Sequence, residues 1–181
     1  MPVEMNADPE FSRPLALDDI KPAGTVVKFT ATDEERERLA RRFDLPDVER
    51  MVAEFRVTRG ASGIPIRVIG RVAARVTQRC VVSLEAFSSD VGDDIEVEFV
   101  PGDDAATAED FAADVVEAES LSGDQIDLGE LAAQHLAVAL DPYPRKPGAE
   151  PPDWTKGREN KEESRANNPF SVLSELRKKN P

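Results

Sequence analysis

Apolar positions along this chain follow two periods, two for strands and about 3.6 for helices, and each change of period marks an element. Phe11 to Leu17 (FSRPLAL) alternates apolar and polar residues, which predicts a short edge strand where Pro14 is tolerated. Thr25 to Ala31 (TVVKFTA) predicts a second strand. Thr32 then reads as a helix N-cap, with Glu35 three residues on completing a capping box. The helix over Asp33 to Phe43 carries Leu39, Ala40 and Phe43 as a narrow apolar stripe, and Pro46 ends it before a second short segment. Val52 to Arg59 sets Phe55 and Val57 against Glu54, Arg56 and Thr58, and Gly60-Ala61-Ser62-Gly63 signals a turn. Ile64 to Leu84 reads as one long or bent strand, and Ile95 to Val100 (IEVEFV) is the cleanest alternation in the chain.

The carboxy-terminal half is more varied. Pro101 to Gly123 is acidic and alanine-rich, a loop with a weak helical turn around Asp110 to Ala118. Asp127 with Glu130 makes another capping-type start. The helix from Leu128 to Leu140 that follows aligns Leu128, Leu131, Ala132, Leu136, Ala139 and Leu140, and Pro142 and Pro144 stop it. Residues 146–167 are charged and proline-containing and predict a flexible linker. Asn168 caps a last short helix with Pro169 at its first position and Phe170, Leu173 and Leu176 every three residues. The expected fold is α+β: an antiparallel β meander packed with two to three helices, plus a flexible C-terminal tail ending in a short helix. The expected organisation is a leader over 1–10, one α+β domain over 11–145, a linker over 146–167 and the tail helix over 168–181.

Charge refines this picture by its distribution. The chain has 181 residues and a net charge of -13, yet the segments differ sharply. Gly60 to Val82 holds four arginines and no acid, whereas Ser83 to Asp141 holds 17 acids and neither Lys nor Arg. The last segment, Pro142 to Pro181, has 9 bases and 6 acids. A molecule of this charge repels anionic polymers at a distance and attracts basic partners. The single cysteine excludes an internal disulfide framework and a multi-cysteine metal finger. No apolar run approaches the roughly 20 residues that span a bilayer. The first 15 residues have neither a basic start nor an apolar core, so a cytoplasmic protein is expected.

Candidate chemistry is sparse. His135 lies on a predicted helix beside Leu131 and Leu136 and reads as structural. Cys80, beside Val81 and Val82 in a β run, reads as a buried, inert thiol, since Arg79 points to the opposite face. Asp90, Asp93 and Asp94 lack the spacing of a calcium loop and read as a solvated hairpin loop. No phosphate-cradling loop, nucleophile elbow or dinucleotide fingerprint is present, so no catalytic residue, cofactor or metal is expected. Arg67, Arg71, Arg75 and Arg79 share one strand face through their spacing of four. They would either contact phosphates or carboxylates of a partner, or neutralise acids of their own chain. The Phe170, Leu173 and Leu176 stripe would dock on its own domain or in a partner's groove.

Several segments together resemble the YceD family, also called DUF177: EFSRPLAL, RVTQRCVVSLEAF, IDLGELAAQHLAVALDPYPRKPG and NPFSVLSELRKK, in that order. The resemblance implies a role in accumulation of 23S ribosomal RNA and in large-subunit biogenesis, without implying an activity. Many members carry Cys-x-x-Cys where this chain has Thr77-Gln78-Arg79-Cys80, a departure that implies no structural metal here. Two mechanisms follow. The arginine row contacts ribosomal RNA directly, or the acidic segment holds a basic ribosomal or rRNA-processing protein while the tail adds an apolar anchor. Net charge favours the second. A magnesium-dependent nuclease built on Asp90, Asp93 and Asp94 is the alternative of another class.

Overall fold

The structure is a computed structural model that describes residues 9–60, 65–101, 117–121 and 123–150. The predicted tail helix, most of the linker and most of the leader therefore lie outside the described residues, as does most of the helical turn predicted around Asp110. In chain order the elements are β1 (Pro14–Ala16), a 3-10 turn (Leu17–Asp19), β2 (Thr25–Thr30), α1 (Asp33–Arg42), β3 (Asp47–Arg59), β4 (Ile66–Arg79), β5 (Ala86–Pro101), β6 (Glu117–Leu121), β7 (Gln125–Asp127) and α2 (Leu128–Ala139). The fold is α+β, and the meander is antiparallel from β2 through β5.

The capping box forms as predicted: Thr32 Oγ1 accepts from Glu35 N–H at 3.3 Å, and the Glu35 carboxylate accepts from Thr32 N–H at 2.8 Å. At its other end α1 closes with Asp44 in the left-handed region at φ 54. There Asp44 N–H donates to Arg41 O and Leu45 N–H to Ala40 O, the two bonds of a Schellman stop. The guanidinium of Arg36 on α1 donates to the carbonyls of Val48 and Glu49. These carbonyls lie at the register shift between Val48 and Arg50 in β3, so Arg36 ties α1 to the bulge.

Four readings are corrected. β3 starts at Asp47 rather than Val52, because the bulge sets Val48 and Met51 inward at a spacing of three and breaks the period-two signal. The strand read over Ile64 to Leu84 ends at Arg79, and the turn follows, with Leu84 at φ 61 and Cys80 N–H donating to Glu85 O. β5 begins at Ala86, so Asp90, Asp93 and Asp94 lie within a strand and not in a hairpin loop. Their low strand propensity is overridden by pairing with β4, in continuous register from Arg79↔Ala86 to Ile66↔Phe99. Glu117 to Leu121, read as loop, forms β6 and pairs with β5 in parallel, so the meander's last step is a crossover.

One face of the five-stranded sheet is covered. Phe55, Val57, Val68, Val72, Val76, Ile95 and Val97 point inward against Leu39 of α1 and Leu128, Leu131 and Leu136 of α2. Phe11 closes this core edge-on to Phe29, whose ring tilts toward Phe55. β1 and β7 form a separate antiparallel pair that ties the amino-terminal segment to the start of α2. At that joint Asp127 Oδ1 accepts from Gly129, Glu130 and Arg13 N–H, and Oδ2 accepts from Ser12 Oγ. Arg13 stacks on the Phe11 and Phe29 rings and forks onto the two oxygens of Glu35 at 2.6 and 2.9 Å. Arg42 clamps the helices together through both oxygens of Glu130, at 2.7 Å each. Among the described residues no helix is long and apolar enough to cross a membrane.

Candidate interaction surfaces

Among the described residues no helix packs on the second face of the sheet, and the arginine row lies on it. Alternation along β4 sends Ile66, Val68, Val72, Ala74 and Val76 inward and Arg67, Arg71, Arg75 and Arg79 outward. Register then decides what they meet. Arg71 lies between Glu54 on β3 and Asp94 on β5, and Arg75 between Arg50 and Asp90. Arg67 contacts Glu96 and, at 3.8 Å, Glu98. Arg71 is 3.6 Å from Asp94, and Arg75 reaches Glu49 at 3.1 Å and Asp90 at 3.0 Å. Arg79 donates instead to the Leu84 carbonyl. Lys28 and Glu54, paired at 2.9 Å, extend the Arg71–Asp94 row to the β2 edge. Apart from the neighbouring Arg50 and Arg75, the face thus alternates in sign and is not a basic strip. Arg71 and Asp94 are 70% and 83% exposed, so that pair adds at most about 1 kcal/mol.

Between the charged rows lies an apolar patch that alternation alone does not single out. Val26 and Ile69 are 61% and 44% exposed and, with Val52 and Ala73, line a shallow depression of about 450 Å³. Its sequence signal was Ile69, a large apolar residue in the phase of β4 that holds the four arginines.

The three aspartates do not converge. Asp90 and Asp94 share the outward face with Arg75 and Arg71, whereas Asp93 points to the helix side and meets His135 Nδ1 at 2.9 Å. Among the described residues no group of three or more His, Cys, Asp or Glu side chains could hold a metal ion. His135 is half-buried and joins α2 to β5 through this contact.

Cys80 has no accessible surface, but it starts the β4–β5 turn instead of lying in a strand. Its Sγ accepts from the N–H groups of Val82 and Ser83, each at 3.4 Å. The Ser83 hydroxyl foremost, then the N–H groups of Ser83, Lys146 and Val82, draw the thiol down to about 6 against the opposing effect of burial. This ring of donors, not Arg79, sets its acidity. The chain after α2 packs on the same turn: Val81 N–H donates to Pro144 O, Gln78 to Asp141 O, and Lys146 pairs with Glu85 at 2.8 Å. Phe170, Leu173 and Leu176 lie outside the described residues.

A family model described as Large ribosomal RNA subunit accumulation protein YceD matches residues 68–177. Curated proteins and solved structures gave no match.

Proposed function

The chain belongs to the family of the large ribosomal RNA subunit accumulation protein YceD, and from that premise we propose a non-enzymatic cytoplasmic factor that supports 23S rRNA accumulation and large-subunit biogenesis. Its working contact is a basic protein, ribosomal or rRNA-processing, in preference to the RNA itself. The family match carries the first part. The second is supported by the arginine row, three of whose four members already meet carboxylates of the same chain. A phosphate backbone would have to displace those carboxylates while approaching a protein of net charge -13.

Deleting the gene tests the role: the ratio of 23S to 16S rRNA is expected to fall, and an unchanged ratio refutes it. A gel shift with rRNA at low and high salt tests the mechanism. Direct rRNA binding is the second reading, favoured by Arg79, which makes no carboxylate contact among the described residues, and by the exposure of Arg71. Tight binding that weakens steeply with salt and is lost in Arg71→Ala and Arg75→Ala variants would establish it.

A further inference from the structure

Among the described residues β5 is paired over most of its length on one side only. β4 covers it from Ala86 to Phe99, whereas β6 covers only Val97 to Pro101 on the other side. Among the described residues no strand pairs with the free edge from Ala86 to Glu96. In an antiparallel pair, alternate residues direct their N–H and C=O away from the partner, so about half of the backbone groups on this stretch face the open side. A groove of about 360 Å³ lies over the first half of the strand, with Phe87, Ser89 and Val91 on the strand side and Ala139, Asp141 and Arg145 opposite.

The charge of the edge narrows its occupant. Asp90, Asp94 and Glu96 of the free stretch meet Arg75, Arg71 and Arg67 on the β4 side and Asp93 meets His135, so the rows across the sheet end on exposed carboxylates at this edge, and the stretch itself carries no Lys or Arg. A second copy of the chain would bring the same aspartates against them, the like-charge arrangement by which natural edges avoid self-pairing. The connecting segment from residue 102 to 116 carries five acids and no base, so its charge has the same sign as the edge.

We infer that the free edge of β5 from Phe87 to Ile95 receives an extended, basic segment of a partner protein by strand addition. The inference rests on the basic-partner reading above and gives it a place and a form. Backbone pairing supplies the affinity, and lysine or arginine at alternate positions meets the aspartates.

The full chain is titrated into a fluorescein-labelled decapeptide of alternating lysine and threonine, followed by anisotropy at low and high salt and by amide hydrogen exchange. A second peptide has the same side chains with alternate backbone nitrogens methylated. The basic peptide is expected to bind and to slow exchange at the outward-facing amides between Phe87 and Asp94. The methylated peptide should bind about tenfold more weakly or worse, about 1.4 kcal/mol. The D90N/D94N variant should weaken binding of the parent peptide while leaving the exchange of the free protein unchanged. Equal binding of both peptides, protection elsewhere, or no binding overturns the inference. So does protection of these amides in the free chain, which would mean that a segment of the chain itself lies there. The rRNA ratio of the deletion strain is independent of these readouts, so the edge can fail while the family role stands.

Discussion

Replacing Asp127 by alanine removes four acceptor contacts at once, and their geometry sets the expected loss. Oδ1 caps α2 through Gly129 N–H at 2.9 Å and Glu130 N–H at 3.1 Å. Loss of an N-cap acceptor costs about 1 kcal/mol, within a range of about 0.5–2. The same oxygen accepts from Arg13 N–H at 2.7 Å, and Oδ2 from Ser12 Oγ at 2.5 Å. Hydrogen bonds to a charged group contribute about 1.5–3 kcal/mol each when one partner is deleted, and neighbours share part of that loss. Asp127→Ala is therefore expected to lose about 3 kcal/mol, and Asp127→Asn, which retains a carbonyl acceptor, less than half of it. Urea unfolding followed by circular dichroism measures the loss by linear extrapolation. Thermal melts should fall by about 6–12 °C for a chain of this size. Ser12→Ala combined with Asp127→Ala should show a coupling of at least about 0.5 kcal/mol. A loss under about 0.5 kcal/mol for Asp127→Ala, or strict additivity with Ser12→Ala, would refute the joint as a unit.

Gly129→Ala offers a test of sign. Helix propensity alone predicts a gain of about 1 kcal/mol. A Cβ there would instead meet Phe11 O at 2.7 Å and Arg13 N at 2.8 Å, both backbone atoms, so a loss of about 1–3 kcal/mol is expected in denaturant titration. On the outer face, Arg71→Ala should change stability by less than about 1 kcal/mol in the same assay. Arg13 holds the Glu35 carboxyl below the usual carboxylate range, chiefly by its hydrogen bond, although burial opposes it. A carboxyl depressed in the folded state stabilises above its unfolded pKa and loses that contribution as pH falls through the depressed value. Glu35→Gln should accordingly flatten the acid limb of stability against pH. Cys80, at about 6, is expected to give a thiolate absorbance midpoint near that pH. By the same sign rule, stability should rise from about pH 6 toward the ordinary thiol range, and Cys80→Ser should abolish both effects.

Local chemistry was legible where it acts over three or four residues. Thr32 with Glu35 and Asp127 with Glu130 both located helix starts, because a cap is written in adjacent side chains. Non-local pairing was not. The polar half of β5 holds its strand through β4, and no propensity within Ser88 to Asp94 announces that partner. The bulge hid the first residues of β3 by shifting the phase of its apolar positions. The arginine spacing identified the face correctly. The carboxylates that occupy it come from Glu49, Asp90, Asp94, Glu96 and Glu98, whose placement depends on two registers that spacing cannot supply. Likewise Ser12 and Arg13 carry no sign of Asp127 in their own neighbourhood.

That last pairing has a consequence for how the chain acquires its shape. Ser12 and Asp127 are 115 positions apart, so the segment made among the first must wait for one made much later before either is satisfied. The ends of so long a loop close slowly, since their entropy is lost before any contact repays it. Until α2 emerges, Phe11 has no lid and the apolar side of the sheet stays open on that flank. The stretch that the family model matches begins at residue 68, after the strands and helix this segment docks upon. A fragment cut to that stretch would lose Phe11, Phe29 and Phe55 together and expose the inner face of β4. The stretch that the family model matches is therefore smaller than the unit that folds.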